Sequence, residues 1–272
     1  MRHQMFRILL LTLALFAPLA NASAEEYITV ASTTSTRDSG LFDDILPLFT
    51  KSSGIAVRIV AVGTGQAIKL AKNGDADVLF VHHRKSEEAF IAGGFGVKRY
   101  DVMYNDFVIV GPDHDPAVIG GAKDVAKAFQ KIAAAKIPFL SRGDDSGTNK
   151  KERALWSAAG IDTSKVSGTW YRETGSGMGA TLNTAAAVNG YAMTDRGTWL
   201  AFKNSGDLKI LVEGDTRLLN PYGVILVNPQ RHPHVKAAAG QKFIDWLVSA
   251  PAQAAIAGFR INGEQLFKGN AR

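Results

Sequence analysis

The sequence contains no cysteine among its 272 residues. This absence excludes disulfide bonds and any site built on a thiolate. Long basic runs are also missing, since no stretch has more than two consecutive Lys or Arg residues. The formal net charge is +6, of which Arg2 and Arg7 contribute two charges. Such a mildly cationic chain suits a small anionic ligand, and it lacks the clustered basicity of a nucleic-acid-binding protein.

Motifs of several enzyme classes are missing as well. The chain has no Walker A loop, no G-x-S-x-G elbow and no H-E-x-x-H zinc motif. The segment GSGMGA at 175–180 fits a dinucleotide fingerprint, but the strand predicted before it is short and charged, which disfavours a nucleotide site. His82 and His83 are adjacent at a predicted strand end and so point to opposite faces. Without a further ligand cluster, we interpret them as a surface or hinge pair and expect no metal site and no cofactor.

The longest apolar run lies at the N-terminus. Arg2 and Arg7 flank the start of a nearly continuous apolar stretch at residues 8–20, and Ala22-Ser23-Ala24 supplies the small residues of a cleavage site. This order predicts a cleavable signal peptide at residues 1–24 and a periplasmic location. The alternative, a retained membrane anchor, is disfavoured because the apolar stretch is short for a bilayer span.

The rest of the chain alternates short strands rich in β-branched residues with amphipathic helical patterns. Strands are predicted at YITVAS, VRIVAVG, DVLFVHH, VMYNDFVIVGP, IPFLS, TWYRE, GYAMT and YGVILVNP. Residues 33–40 are predicted as a loop, and residues 235–259 as one closing helix. The alternation predicts an α/β fold with largely parallel sheets. The Asp/Pro-rich turn after FVIVGP favours two lobes, although a single doubly wound domain fits the same pattern.

Five predicted strand–helix connections carry Gly, Ser or Thr, and each alone is an ordinary helix cap or turn. They are TTST (33–36), GTG (63–65), SRGDDSGT (141–148), GSG (175–177) and TDRGT (194–198). Because the carboxyl ends of parallel strands meet at one edge of a sheet, we expect the five loops to face a common crevice. Helix N-termini and hydroxyls donate hydrogen bonds, so the set is rich in donors and suits a fully ionised tetrahedral oxyanion.

Arg142 supplies the planar fork of donors that an oxyanion prefers. We interpret Asp144 and Asp145 as scaffold residues turned away from the site, paired with Arg142 or with Lys150 and Lys151. Arg196 is a second cation candidate, with a salt bridge to Asp195 or Glu173 as the alternative. A ligand that keeps a proton would need a carboxylate acceptor, and Asp77 is the nearby candidate.

Several blocks together resemble the tungstate-binding periplasmic proteins of ABC-type uptake systems. They are ASTTSTRDSGLFDDILPLF, VGTGQAIKLAKNGDADVLFVHH, VMYNDFVIVGP, FLSRGDDSGTNKKERALW and GYAMTDRGTW. The resemblance implies a two-lobed type II periplasmic binding protein, each lobe a mixed, mostly parallel sheet flanked by helices, with ligand in the interlobe cleft. It implies lobe 1 at 25–111 and 205–272 and lobe 2 at 112–204. The ligand contacts that it implies are Thr34, Ser35, Thr64, Arg142, Ser146, Gly147 and Thr148.

The same resemblance implies a monomeric receptor without catalytic activity. It would carry tungstate, held as an oxyanion and not through direct coordination of the metal, to a permease driven by an ATPase. A receptor for molybdate, sulfate or phosphate is the alternative within this fold, since molybdate nearly equals tungstate in size and charge. An exported hydrolase using a serine of TTST or SGT is a different class, and it would need a base although no histidine is near these loops in sequence. A regulator's sensor half is a third alternative, disfavoured by the signal peptide.

Overall fold

The computed structural model describes residues 26–271, so the predicted signal peptide at 1–24 lies outside the described residues. The strands are β1 (Tyr27–Thr33), β2 (Ala56–Val62), β3 (Val78–Val81), β4 (Gly96–Pro112), β5 (Phe139–Ser141), β6 (Tyr171–Glu173), β7 (Tyr191–Asp195), β8 (Leu208–Val212), β9 (Leu219–Val227), β10 (Arg260–Ile261), β11 (Glu264–Gln265) and β12 (Lys268–Gly269). The helices are α1 (Thr34–Asp38), α2 (Leu41–Ser53), α3 (Thr64–Asn73), α4 (Arg84–Ala92), α5 (Val125–Ala135), α6 (Gly147–Ala158), α7 (Met178–Val188), α8 (Arg196–Ala201), α9 (Ala237–Leu247) and α10 (Ala250–Gly258). Single 3-10 turns lie at Thr163–Lys165 and Thr216–Leu218.

Ten of these strands form a sheet with the order β2-β1-β3-β9-β4-β7-β5-β6, and β8 and β12 pair with β4 beside this path. Parallel pairs lie at the two ends of the sheet, β2-β1-β3 on one side and β7-β5-β6 on the other. The long strands β4 and β9 lie between them and pair antiparallel with each other. The mixed α/β architecture predicted from the alternation of strands and helices is therefore present.

Strand β4 runs through both halves of the sheet, and two hydrophobic clusters lie in each half. Its first part, up to Asp106, pairs with β9, and its second part, from Phe107, pairs with β7 and β8. On the β9 side, side chains of β1 alternate between two clusters, with Val30 in one and Ala31 in the other. On the β7 side, Phe107 and Val108 alternate in the same way between two further clusters, as the two-residue period of a strand requires.

The division into lobes at 25–111, 112–204 and 205–272 stays a prediction. The pairing of the strands favours slightly different crossing points, by which we mean the positions where the chain passes from one lobe to the other. Residues after Asp106 pair with β7 and β8, and Leu211, Val212 and Leu218 pack in the same cluster as Phe107. From Leu219 the chain pairs with the first part of β4. The crossings suggested by these contacts therefore lie between Asp106 and Phe107 and between Leu218 and Leu219.

Two local predictions were wrong. The predicted loop at 33–40 contains the short helix α1, because the Thr33 side chain caps its first turn by accepting from the Thr36 amide. The predicted single closing helix is two helices, α9 and α10. Ser249 between them has an extended backbone, and Pro251 follows in the first turn of α10, where its missing N–H costs nothing.

Within residues 26–271 no helix combines the length and apolarity needed to cross a membrane.

Candidate functional site

A small cavity lies where the carboxyl ends of β1, β2 and β3 face the carboxyl end of β5. Its lining consists of Thr33, Thr34, Ser35, Val62, Gly63, Thr64, His82, Arg142, Ser146, Gly147 and Thr148. All seven residues predicted as ligand contacts are in this set, although they come from positions as far apart as 34 and 148. Strand ends of parallel sheets are where ligands bind in α/β proteins.

The first wall of the cavity is built from the starts of α1 and α3. Gly63 precedes α3 and provides no side-chain cap, so the first amides of this helix remain donors without an intrahelical partner. The hydroxyl of Thr64 is buried and has no hydrogen-bond partner among the described residues. An unpaired buried hydroxyl costs roughly 1–3 kcal/mol, which a ligand accepting its hydrogen bond would recover.

The opposite wall is the start of α6. The Ser146 hydroxyl caps this helix by accepting from the Asn149 amide at 3.2 Å. Ser146 and Thr148 are almost fully buried, and the amides of Gly147 and Thr148 lie in the first turn, where they have no intrahelical acceptor. Two helix N-termini from the two sides of the sheet thus face one cavity, and both favour negative charge there.

Gly147 is the point where the two walls touch. A Cβ atom at this position would lie 3.0 Å from Thr64 Oγ1 and 3.1 Å from His82 Cε1. Both distances are tighter than ordinary carbon contacts of about 3.5–4.0 Å. A side chain at 147 would therefore hold the walls apart.

We predict that Gly147→Ala weakens anion binding by about tenfold, or about 1.4 kcal/mol, without lowering the melting temperature. Alanine is a better helix former than glycine, so only the approach of the two walls should suffer. Gly65→Ala is the matched control, because a Cβ there meets Asp145 and Lys150 at 3.6 and 3.8 Å, which is ordinary contact. Titration calorimetry of both variants measures the effect. Equal affinities for the two variants would contradict this role of Gly147.

Among the described residues that line this cavity, Arg142 is the only one with a charged side chain. Its Nε and Nη2 atoms donate to Asp144 Oδ2 at 3.1 and 2.5 Å, and Asp144 Oδ1 accepts from the Ser146 amide. Burial alone would raise the pKa of the Asp144 carboxyl, but the hydrogen bonds from Ser146 and Arg142 outweigh it and hold the pKa below its ordinary value. Asp144 therefore stays ionised and holds the guanidinium by one edge.

The second acid of this loop is also turned aside. Asp145 accepts a hydrogen bond from Lys150 at 2.8 Å, and neither aspartate lines the cavity. The interpretation of both acids as scaffold residues agrees with these contacts.

A buried polar cluster supports the Arg142 loop from behind. Ser141 donates to Glu152 at 2.7 Å and accepts from the Asn149 amide group at 3.0 Å. Tyr171 and Trp156 donate to the other carboxyl oxygen of Glu152, at 2.8 and 3.1 Å. Burial raises the pKa of Glu152 to about 7, against the effect of these hydrogen bonds. The strand end before Arg142 and the first turn of α6 are thereby tied together.

His82 does not lie at the surface, in contrast to the surface alternative of our prediction. It is 7% exposed and lines the cavity, with Nε2 3.2 Å from Ser35 Oγ and Nδ1 3.0 Å from Asn220 Oδ1. Burial, with a smaller contribution from the charge of Arg142, lowers the pKa of His82 to about 4. His83 points elsewhere and bonds Ser86 at 2.6 Å. No sequence signal marked His82, because Ser35 and Asn220 are far from it along the chain.

The remaining hydroxyl-bearing loops border the same region. A second cavity shares Thr34, Ser35 and Arg142 with the first, and Gly177 and Thr198 of the GSG and TDRGT loops complete its wall. The expectation that the five loops converge is therefore confirmed. Residues of the first three loops line the small cavity, which we call the inner cavity. Residues of the last two loops line the adjoining cavity together with Thr34, Ser35 and Arg142.

Two other candidates lie away from the cavity. Arg196 forms ion pairs with Asp106 at 2.7 Å and Glu213 at 2.7 Å, so both proposed partners, Asp195 and Glu173, were wrong. Asp106 lies at the first crossing point and Glu213 lies ahead of the second, before the turn Thr216–Leu218, and Arg196 joins the two acids.

Asp77 accepts from the backbone amides of Thr29 and Lys236, both at 2.7 Å, and so has no role as an acceptor for a protonated ligand. The described residues that line the small cavity include no carboxylate. Within the described part of the chain, no group of three or more His, Asp or Glu residues could hold a metal ion.

The family of the chain follows from comparison with known proteins. A family model described as a PBP superfamily domain matches residues 19–251. The chain belongs to this superfamily. A tungstate-binding protein, TupA, of Peptoclostridium acidaminophilum is 47% identical to it over 252 residues, covering 91% of this chain and 87% of that protein.

Two solved structures extend the comparison of this PBP-superfamily chain. The tungstate-binding protein TupA of Desulfovibrio alaskensis superposes with a TM-score of 0.82 at 47% identity, covering 91% of this chain and all of that one. The tungstate ABC transporter structure from Geobacter sulfurreducens gives 0.79 at 49% identity, covering 87% of this chain and all of that one. The resemblance predicted from the sequence and the two-lobed α/β fold class are confirmed.

Proposed function

We propose that this protein is the extracytoplasmic receptor of an ABC importer and binds tungstate as the tetrahedral dianion WO4²⁻. The residues that would hold the anion are Thr34, Ser35, Thr64, Arg142, Ser146, Gly147 and Thr148. The contacts are made to the oxygens of the anion, so the protein supplies hydrogen-bond donors and no ligand atom to the metal. The names of the relatives, which are tungstate-binding proteins of ABC transporters, support the choice of ligand.

The unpaired hydroxyl of Thr64 is the observation that carries this proposal. It is buried, points into a cavity lined by donors and has no partner in the described structure. Arg142 adds one positive charge, and two helix N-termini add amide donors. An anion with an acceptor lone pair on every oxygen satisfies all of these groups together, whereas an apolar or cationic ligand satisfies none of them.

Capture would take place by closure of two lobes. One lobe supplies Thr34, Ser35 and Thr64, the other supplies Arg142 and the start of α6, and the segments at the two crossing points act as the hinge. The close approach of Gly147 to Thr64 supports contact between the walls in the closed form. In the same proposal the closed monomer docks on a membrane permease, which an ATPase drives.

The donor-rich lining favours fully ionised oxyanions over phosphate. Near neutral pH every phosphate ion keeps at least one proton, and that proton has no carboxylate to meet among the described residues that line this cavity. A buried O–H without an acceptor costs about 1–3 kcal/mol. Molybdate carries no such proton and remains the ligand nearest to tungstate in chemistry.

We predict that titration calorimetry of residues 25–272 gives a tungstate affinity at least about 100-fold above that for phosphate, equivalent to about 2.8 kcal/mol. Sulfate should also bind more weakly than tungstate. Competition between molybdate and tungstate gives the ratio of their two affinities. Tungstate binding no tighter than sulfate or phosphate would contradict the proposed ligand, and absence of any oxyanion binding would contradict the proposed site.

A hydrolase remains the alternative of a different class, because Ser35, His82 and Asn220 form a hydrogen-bonded series of nucleophile, base and orienting group. The pKa of His82, lowered to about 4, makes it a weak general base near neutral pH, where a base with a pKa close to 7 is most effective. Hydrolysis of a p-nitrophenyl ester that is lost in Ser35→Ala would favour the hydrolase.

A further inference from the structure

His82 lies at the centre of a hydrogen-bond chain that runs from the cavity to both crossing strands. Its Nε2 atom is 3.2 Å from Ser35 Oγ, and its Nδ1 atom is 3.0 Å from Asn220 Oδ1. The amide nitrogen of Asn220 donates to Asn105 Oδ1 at 2.7 Å. Asn105 belongs to β4 and Asn220 to β9, and both lie next to the proposed crossing points.

This chain fixes the tautomer of His82. Because the Asn220 nitrogen donates to Asn105, the Asn220 oxygen faces the imidazole ring, and an amide oxygen only accepts. The proton of neutral His82 therefore lies on Nδ1. The other nitrogen, Nε2, then carries a lone pair and needs a donor.

Ser35 is the donor within reach of Nε2, and a serine hydroxyl has one hydrogen. Thr33 Oγ1 lies 3.1 Å from Ser35 Oγ and can donate to it. In this arrangement the Ser35 hydrogen points to His82, and none remains for an anion. Ser35 nevertheless lines the cavity and belongs to the predicted ligand contacts, so an anion that enters requires a change in the hydrogen bonds.

We infer that His82 is a positioning residue that turns the Ser35 hydroxyl towards the anion by taking up one proton. When the dianion enters, Nε2 accepts a proton from solvent and donates to Ser35 Oγ, and the Ser35 hydrogen is then free to donate to an oxygen of the anion. No covalent bond of the ligand changes. The inference rests on the proposed oxyanion binding and deepens it.

The groups around His82 explain why the ring would charge only with an anion present. Arg142 from the opposite wall and His83 on its own strand end both disfavour a positive imidazole. The Tyr222 ring packs on the imidazole at 4.8 Å between centroids, and the described residues that line the cavity include no carboxylate. Two negative charges between Arg142 and His82 reverse this balance, because at about 5 Å their attraction for the ring outweighs the repulsion by one guanidinium.

The wild-type protein tests the inference directly. We expect calorimetry at pH 6.5 in buffers of different ionisation enthalpy to show uptake of about one proton per tungstate. The affinity should rise about tenfold for each pH unit lowered between pH 8 and 6.5, the slope for one proton bound on association. Nitrogen NMR of labelled histidine should show His82 with its proton on Nδ1 in the free protein and doubly protonated in the complex.

His82→Gln supplies the variant test. A glutamine amide can donate to Ser35 Oγ but does not titrate, so tungstate should bind within about tenfold of wild type without proton uptake. The control is His83→Gln, which should keep the uptake, because His83 bonds Ser86 and does not line the cavity.

Tungstate binding without proton uptake, or an imidazole that stays neutral in the complex in either tautomer, would overturn the inference and leave the proposed function standing. Proton uptake that persists in His82→Gln would also overturn it, because another group would then be responsible. Absence of tungstate binding in the wild type contradicts the proposed function itself. If His82→Gln does not fold, the NMR measurement on the wild type still decides the question.

Discussion

Arg142→Ala should lower the affinity for tungstate by at least about 100-fold, as expected when one member of a buried hydrogen-bonded charge pair is removed. The variant loses the only charged side chain in the lining. It also leaves the Asp144 carboxylate without its guanidinium partner, next to the place where the anion binds. Titration calorimetry at fixed ionic strength measures the loss.

Three further variants separate the causes. Arg142→Lys keeps the charge but loses the planar fork, so its affinity should fall between wild type and Arg142→Ala. Arg142→Ala combined with Asp144→Ala should bind better than Arg142→Ala alone, because the repelling carboxylate is gone. Arg172→Ala is the control, since Arg172 is exposed and donates to the backbone at Thr169. An Arg142→Ala protein with wild-type affinity would place the anion site elsewhere.

Trp156→Ala should lower the free energy of unfolding by about 4 kcal/mol, in the range of large aromatic truncations in a core. Trp156 is fully buried. Its ring stacks on Phe129 at 4.0 Å between centroids and meets the edge of Phe139 at 5.0 Å. The truncation leaves a cavity and removes the donor to Glu152. Urea unfolding followed by circular dichroism measures the change in stability.

Trp246→Ala is the matched control for this truncation. Trp246 lies on α9 in the other set of cores, is half-buried and packs on Phe49 and Phe243 at the edge of its cluster. Trp246→Ala should lower the free energy of unfolding by about half as much as Trp156→Ala or less, because solvent can fill the space that the half-buried ring leaves. Equal destabilisation by the two variants would contradict the larger cost that we assign to the fully buried ring of Trp156.

Local sequence patterns were sufficient for most of the secondary structure and for the hydroxyl-bearing loops that line the two cavities. Alternating β-branched strands predicted β1 to β5, and hydroxyl residues directly before helical patterns marked the loops of Thr34, Thr64 and Thr148. These signals are local: a cap or a strand end is specified by residues within one turn of it. The scaffold role of Asp144 and Asp145 was accessible for the same reason, because their partners Arg142 and Lys150 lie within five residues.

Contacts between distant segments could not be read in this way. The sequence placed Arg196 beside Asp195 or Glu173, whereas the fold pairs it with Asp106 and Glu213. The sequence suggested that His82 and His83 form a pair at the surface or at a hinge, whereas the fold buries His82 between Ser35 and Asn220.

By itself, then, the sequence determined the fold class, the donor-rich chemistry of the cavity and the single arginine in it. Those properties depend on residue type and on neighbours along the chain. Only the tertiary structure decided that a neutral, buried histidine shares the cavity with those donors. The reason is physical: the tautomer and pKa of His82 are set by burial and by partners on β4, β9 and α1, which meet only when the sheet has formed.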